Sequence, residues 1–252
     1  MSSAVASMIS EEQKRQYREE GYFLLEKAMP QEHLEMLRDE CQRFIDIEDA
    51  RMDEAKTDVL GINHRHKRYF VAGACAMSQR IGEFVYSELT AELCRATLGP
   101  DAYLFWDQYV VKGAEVGMKF GWHQDSGYVG HEHRPYLTLW CALDDMRIEN
   151  GTVYILPYSR AGSRDVQPHV QEAGTNDLIG YHGSDPGIPV IVPAGSIAVF
   201  SSTTFHRSGS NTTNKMRRVY LAQYSGEIIM DKEGVKPQGQ HEAFLKGGKR
   251  VR

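Results

Sequence analysis

The chain has 252 residues, 41% of them hydrophobic and 25% charged, with a formal net charge of −5. That is the composition of a folded domain long enough for one barrel with flanking helices, and its acidic balance excludes a general nucleic-acid footprint. No apolar run approaches the ~18 residues of a membrane span, the N-terminus turns polar before any leader-type stretch, and Cys41, Cys75, Cys94 and Cys141 lack C-x-x-C spacing, so the expected location is the cytoplasm with reduced thiols.

The first hundred residues read as mostly helical. "SEEQ" at Ser10–Gln13 has the form of a capping box, and Gly21 is placed to stop the helix that follows. "YFLLEKAM" reads as a short strand. After Pro30, residues Leu34, Leu37, Cys41, Phe44 and Ile45 recur at helical spacing, and "IGEFVYSELTAELCRATLG" (81–99) predicts a third helix ending at Gly99. From residue 101 the period changes. "AYLFWDQYVVK", "YLTLWCALD", "TVYILP", "IPVIV", "SIAVFS" and "RRVYLAQYSG" are β-branched and aromatic runs divided by turn residues, the spacing of a sandwich or barrel. The expectation is a single domain over 1–252, mainly β with flanking helices: a helical part at about 10–100, a jelly-roll core (double-stranded β-helix, cupin-like) at about 101–230, and a solvated basic tail, "KGGKRVR".

Inside "FGWHQDSGYV", His123 and Asp125 stand two apart. At a strand end, alternate side chains share a face, so an imidazole and a carboxylate can approach one ion together. His206 in "SSTTFHRSGSN" is placed to complete the set. Two histidines and one carboxylate with open positions form the ligand set of non-haem Fe(II) oxygenases. Eleven residues beyond His206 lies "RRVYLAQY". Strand alternation sends only one of Arg217 and Arg218 inward, and a buried guanidinium requires an anion; a dicarboxylate such as 2-oxoglutarate fits that requirement.

These residues resemble the phytanoyl-CoA dioxygenase family of Fe(II)/2-oxoglutarate-dependent oxygenases. The resemblance spans roughly residues 10–230 and is strongest in "WHQDSGYV", "ENGTVYILPYSR", "PAGSIAVFSSTTFHRSGSN" and the His206-to-Arg217 interval. It implies iron held by His123, Asp125 and His206, and the 2-oxoglutarate carboxylate held by Arg217 with help from Ser208. Trp140 and Gln108 are implied as further walls of the co-substrate pocket. It also implies the activity: O2-dependent oxidation of an unactivated C–H bond, most simply a hydroxylation, coupled to release of succinate and CO2. One departure is "LPYSR" at 156–160, where many members read Pro-Gly-Ser-His.

Two other readings remain open at this point. A metal-dependent cupin-type isomerase or epimerase would need an acid or base beside the metal and no anchor for a dicarboxylate. A silent jelly-roll binding module would have kept the barrel without the chemistry. Conversion of 2-oxoglutarate to succinate by the Fe(II)-loaded protein separates all three. The pairs His64/His66 and His131/His133 lie in charged, loop-like segments without a third ligand and read as solvated. The segment "GINHRHKRYF" (61–70) gathers Arg65, Lys67 and Arg68. It reads either as a solvated basic loop or as an entrance lid that draws in an anionic small-molecule substrate, with Arg68 the direct contact.

Overall fold

The computed structural model describes residues 8–114, 119–173 and 177–252; residues 1–7, part of the N-terminal stretch read above, lie outside the described residues. In chain order the first elements are α1 (Glu11–Glu20), β1 (Tyr22–Leu25), α2 (Gln31–Glu54), β2 (Val59–Leu60), β3 (Asn63–His64), β4 (Arg68–Ala72), α3 (Ala74–Met77), α4 (Gln79–Val85), α5 (Glu88–Thr97) and β5 (Ala102–Lys112). Next come β6 (Phe120–His123), a 3₁₀ turn (Asp125–Tyr128), β7 (Leu137–Ala142), β8 (Val153–Leu156), α6 (Tyr158–Ala161), β9 (Val170–Gln171) and β10 (Leu178–Ile179). The last are β11 (Ile188–Pro189), β12 (Ile197–Ser201), β13 (Phe205–Ser208), β14 (Arg217–Ser225), β15 (Glu242–Lys246) and β16 (Lys249–Arg250).

Two antiparallel sheets face one another. The larger runs β1-β12-β7-β14-β5-β4-β3-β2, with β15 on the far end of β5 and β16 beside it; the smaller runs β11-β8-β13-β6. This is the jelly-roll architecture that the strand spacing implied. Alternation along β14 shows how the layers are filled. Tyr220, Ala222 and Tyr224 join a core with Leu37, Phe44, Ile81, Phe84 and Leu93 of the helices. Val219 packs inward with Trp140, Val153, Ile155, Val190 and Phe200 between the sheets. The large sheet is therefore buried on both faces, helices on one and the small sheet on the other.

The capping box at Ser10 forms as read, and Gly21 closes α1 in the left-handed conformation. The third predicted helix does not run unbroken. It divides into α4 and α5 at Tyr86–Ser87, because Ser87 turns extended and its side chain accepts from Thr90 N to start a new helix. The mostly helical first hundred residues also hold β2, β3 and β4, which extend the large sheet beyond β5. Two of these strands are two residues long, too short to carry a pattern; β4 pairs with β5, β3 with β4 and β2 with β3, and that successive pairing makes them strands. The exposed tail is folded rather than loose. β16 pairs with β15, Arg95 donates to Gly248 O, Arg250 approaches Glu88, and Arg252 pairs with Glu242. No described helix is long and apolar enough to cross a membrane.

Candidate active site

The antiparallel pairing of β6 with β13 sets His123 directly opposite His206, with ring centroids 4.2 Å apart. Asp125 is not on the strand, as its spacing from His123 suggested. β6 ends at His123 and Asp125 opens the 3₁₀ turn. The residue between them, Gln124, keeps an extended backbone (φ −111°, ψ 137°), so the alternation still carries Asp125 to the same side. Asp125 Oδ1 lies 3.5 Å from His206 Nε2, and one donor atom from each of the three residues falls within 4.8 Å of the others.

Each donor is oriented from behind. His123 Nδ1 is 2.8 Å from Gly121 O, and His206 Nδ1 is 3.1 Å from Thr204 O. A carbonyl only accepts, so both Nδ1 atoms carry the proton and both Nε2 lone pairs point into the site. Burial, reinforced by the neighbouring His206, holds the His123 imidazole well below its usual range and keeps it a neutral donor. Asp125 Oδ2 accepts from Thr138 Oγ1 at 2.7 Å and from Gln223 Nε2 at 2.9 Å, leaving Oδ1 free. Gln124, fully buried, anchors the turn: its side chain donates to Thr203 O and Asp165 O and accepts from Gln167 N, while its own N–H donates to His169 Nε2.

A second polar group sits along β14. Arg217 is 1% exposed; Nη2 donates to Gly151 O at 2.7 Å, the guanidinium lies 5.7 Å from the Trp140 ring centroid, and Nε has no partner. Arg218 points the other way and forks onto Asp144 at 2.6 and 3.1 Å. Lys112 of β5 stands opposite Arg217 in the register, and its Nζ donates to Ser208 Oγ at 2.8 Å. Gln108 lies two alternations before Lys112 on β5, half-buried, and accepts weakly from Trp106 Nε1 at 3.4 Å. Arg68 of β4 pairs in register with Lys112 and is half-buried, and two residues on along β4 Phe70 meets Phe120 edge to face.

The structure thus gathers His123, Asp125 and His206 into one cluster and Arg217, Ser208 and Trp140 into a neighbouring one, with Gln108 and Arg68 farther along the same interior. Sequence reasoning missed Thr138, Gln223, Lys112 and Gln124. The first three carried a signal: each shares a strand and an even spacing with a residue already singled out, Thr138 with Trp140, Gln223 with Arg217, and Lys112 with Gln108. The two histidine pairs stay outside the cluster. His133 Nε2 meets Ser126 Oγ at 3.0 Å, and His64 and His66 belong to the β3–β4 hairpin. The departing segment 156–160 runs from the end of β8 through Pro157 into α6, where Tyr158 OH meets Thr203 Oγ1 at 2.6 Å and buttresses the turn before β13. A cavity of about 520 Å³ lined by Cys75, Tyr86, Glu242 and Arg252 lies away from these residues; one of about 420 Å³ borders the turn after Asp125, lined by Ser126, His133 and His169.

Two imidazoles and a half-engaged carboxylate suit a divalent first-row metal, and the orphaned Arg217 Nε suits a carboxylate, so the residues present fit iron with a 2-oxo dicarboxylate. The model of the phytanoyl-CoA dioxygenase family matches residues 17–219. The chain belongs to the phytanoyl-CoA dioxygenase family. As a member it is a dioxygenase that depends on Fe(II) and 2-oxoglutarate, and the isomerase and binding-module readings give way. Phytanoyl-CoA dioxygenase relatives include the ectoine dioxygenase of Bordetella parapertussis, 26% identical over 98% of this chain and 86% of that protein. A probable alpha-ketoglutarate-dependent hypophosphite dioxygenase of Stutzerimonas stutzeri is 23% identical over 94% of this chain and 86% of that one. Among solved structures, the non-heme alpha ketoglutarate dependent carbocyclase SnoK from nogalamycin biosynthesis superimposes with a TM-score of 0.72 at 19% identity, covering 96% of this chain and 98% of that chain.

Proposed function

We propose that this dioxygenase hydroxylates or otherwise oxidises an unactivated C–H bond of a small anionic molecule. In this reading His123, Asp125 and His206 hold Fe(II), and Arg217 with Ser208 holds the distal carboxylate of 2-oxoglutarate. The observation that carries it is the buried Arg217 Nε without an acceptor. An unpaired guanidinium N–H in an apolar wall costs on the order of 1–3 kcal/mol, which an incoming carboxylate recovers. Burial alone already lowers Arg217 to about 10, Asp144 opposing it, so the pocket favours a ligand that brings negative charge.

When bound, the iron and 2-oxoglutarate supply the oxidising power by splitting O2 with loss of CO2 and formation of succinate. The chain's own residues position and protect. Gly121 and Thr204 carbonyls fix the two imidazoles, Thr138 and Gln223 fix the Asp125 carboxylate, and Trp140 forms an apolar wall beside Arg217. Gln108 faces the same interior and offers an amide to the co-substrate. Phe70 and Phe120 close the mouth edge to face and limit water.

The anionic substrate rests on Arg68 as the direct contact from the basic segment. Arg65 donates to Asp53 at 2.7 Å and to Asp58 at 2.9 Å, so it staples the hairpin to α2 and adds no free charge at the entrance. Arg68 donates Nε to Ile62 O and lies over Phe70, with Asp177 close enough for its carboxyl, raised by burial, to be drawn back down by Arg68. The test is a screen of anaerobically loaded protein against a metabolite library, following succinate and substrate mass after O2 is admitted. Succinate formation should be stimulated by an anionic compound whose apparent KM rises in Arg68→Ala. A neutral substrate indifferent to that substitution would end the substrate reading and leave the dioxygenase assignment standing.

A further inference from the structure

Lys112 is assigned a role by none of the motifs above. It ends β5 with 1% of its surface exposed, opposite Arg217 on β14 and opposite Arg68 on β4. Its Nζ lies 5.3 Å from the Phe120 ring centroid and donates to Ser208 Oγ and Gly209 O. Two cationic side chains directly opposite one another in a buried sheet repel, and a leucine or methionine would fill that strand end without the penalty. Among the described residues no carboxylate hydrogen-bonds either of them: Arg217 is bound to Gly151 O, and Asp144 is engaged by Arg218. Burial, then Arg217, pushes the amine down to about 6. Ser208, whose Oγ accepts a hydrogen bond from Lys112, is left with its own O–H to donate to an anion placed between the two strands.

Resting on the co-substrate reading above, we propose that Lys112 is a second cation for the distal carboxylate of 2-oxoglutarate, taking the oxygen that Arg217 leaves. It would select a 2-oxo acid with a charged far end over one with an uncharged end. The contact is charge-assisted on both sides of the carboxylate, with Ser208 as the third donor.

Anaerobic calorimetric titration of the Fe(II)-loaded protein tests this with two probes, 2-oxoglutarate and 2-oxopentanoate, which carries a methyl group in place of the distal carboxylate. Lys112→Met should weaken 2-oxoglutarate binding on the order of 10–100-fold and leave 2-oxopentanoate within about threefold. Lys112→Gln keeps N–H donors for Ser208 and Gly209 without the charge. It should fold, as checked by its melting temperature, and lose the same discrimination. Equal weakening of both probes, or wild-type discrimination in Lys112→Gln, would reduce Lys112 to a tie between β5 and the turn after β13 and overturn the proposal. Arg217→Ala separates the two levels. If it too leaves 2-oxoglutarate affinity intact, the co-substrate reading itself fails; if only the Lys112 variants are silent, the second cation alone is lost.

Discussion

Asp125 divides its two oxygens between two tasks, and Gln223 is the side chain that enforces the division. Its amide donates to Asp125 Oδ2 and to Thr138 Oγ1 at once, so the carboxylate plane is held by two donors that are themselves linked. Gln223→Leu is expected to keep the fold and lower Fe(II) affinity about 10–100-fold, the usual cost of losing a group that orients a ligand; competition with a calibrated chelator measures it. Lys112 gives a pH signature. Its folded value of about 6 lies below the unfolded value of about 10.5, so between these the unfolded chain binds more protons. The stability tied to this residue is therefore full above the unfolded value and is lost as pH falls through about 6. A carboxylate arriving beside the amine restores the ammonium form. Binding of 2-oxoglutarate at about pH 8 should take up about one proton in the wild type and close to none in Lys112→Met, read from binding heats in two buffers of different ionisation enthalpy.

At the level of elements, the anion end depends on a turn. The Asn150-Gly151 turn before β8 places the carbonyl that receives Arg217 Nη2, and Gly151 holds φ +74° with Gly209 O 2.4 Å from where a Cβ would stand. An alanine there meets both backbone strain and a backbone oxygen, on the order of 1–3 kcal/mol. Relief of that clash moves the Gly151 carbonyl or the Ser208–Gly209 turn, and both touch the pocket. Gly151→Ala is expected to lower the melting temperature and to weaken 2-oxoglutarate binding more than Fe(II) binding, which separate titrations of the two ligands resolve. The iron end depends instead on strand pairing. The register of β13 against β6 shifts between His206 and Ser208, so Ser208 pairs with Phe120 while His206 pairs with His123. That irregularity lets neighbouring residues of one strand serve both clusters.

At the scale of the whole molecule, the site is a seam between two sheets. His123 and His206 come from the small sheet and its edge, while Arg217, Lys112, Gln223 and Thr138 come from the large one. Ligands that bind both sides tie the layers together and stabilise the native state only. At concentrations of 100 times its Kd, each ligand adds about 2.7 kcal/mol. For a chain of this size that raises the melting temperature by roughly 5–10 °C. Scanning calorimetry under argon should show a rise of that size for each of Fe(II) and 2-oxoglutarate, and Asp125→Ala should abolish the iron-dependent part.

The amino-acid sequence by itself determined the features that depend on neighbours along the chain. The Ser10 capping box, the strand runs after residue 101 and the two-residue spacing of His123 and Asp125 are set by local backbone geometry, which repeats every two or 3.6 residues. The same alternation separates Arg217 from Arg218. The resemblance of the His206-to-Arg217 interval pointed to the family because that interval also lies within one stretch of chain. The tertiary structure alone decided what depends on partners far away. β4 is a strand because β5 lies beside it, β3 and β2 follow by pairing outward from β4, and the 81–99 helix breaks where Ser87 can recap it. Arg65 became a staple because Asp53 and Asp58 fold within its reach, although composition counted it as a free cation. Lys112 faced Arg217 only once β5 and β14 were in register. Parity along a strand is written in the sequence; register between strands is a long-range choice, fixed by packing that no single segment contains.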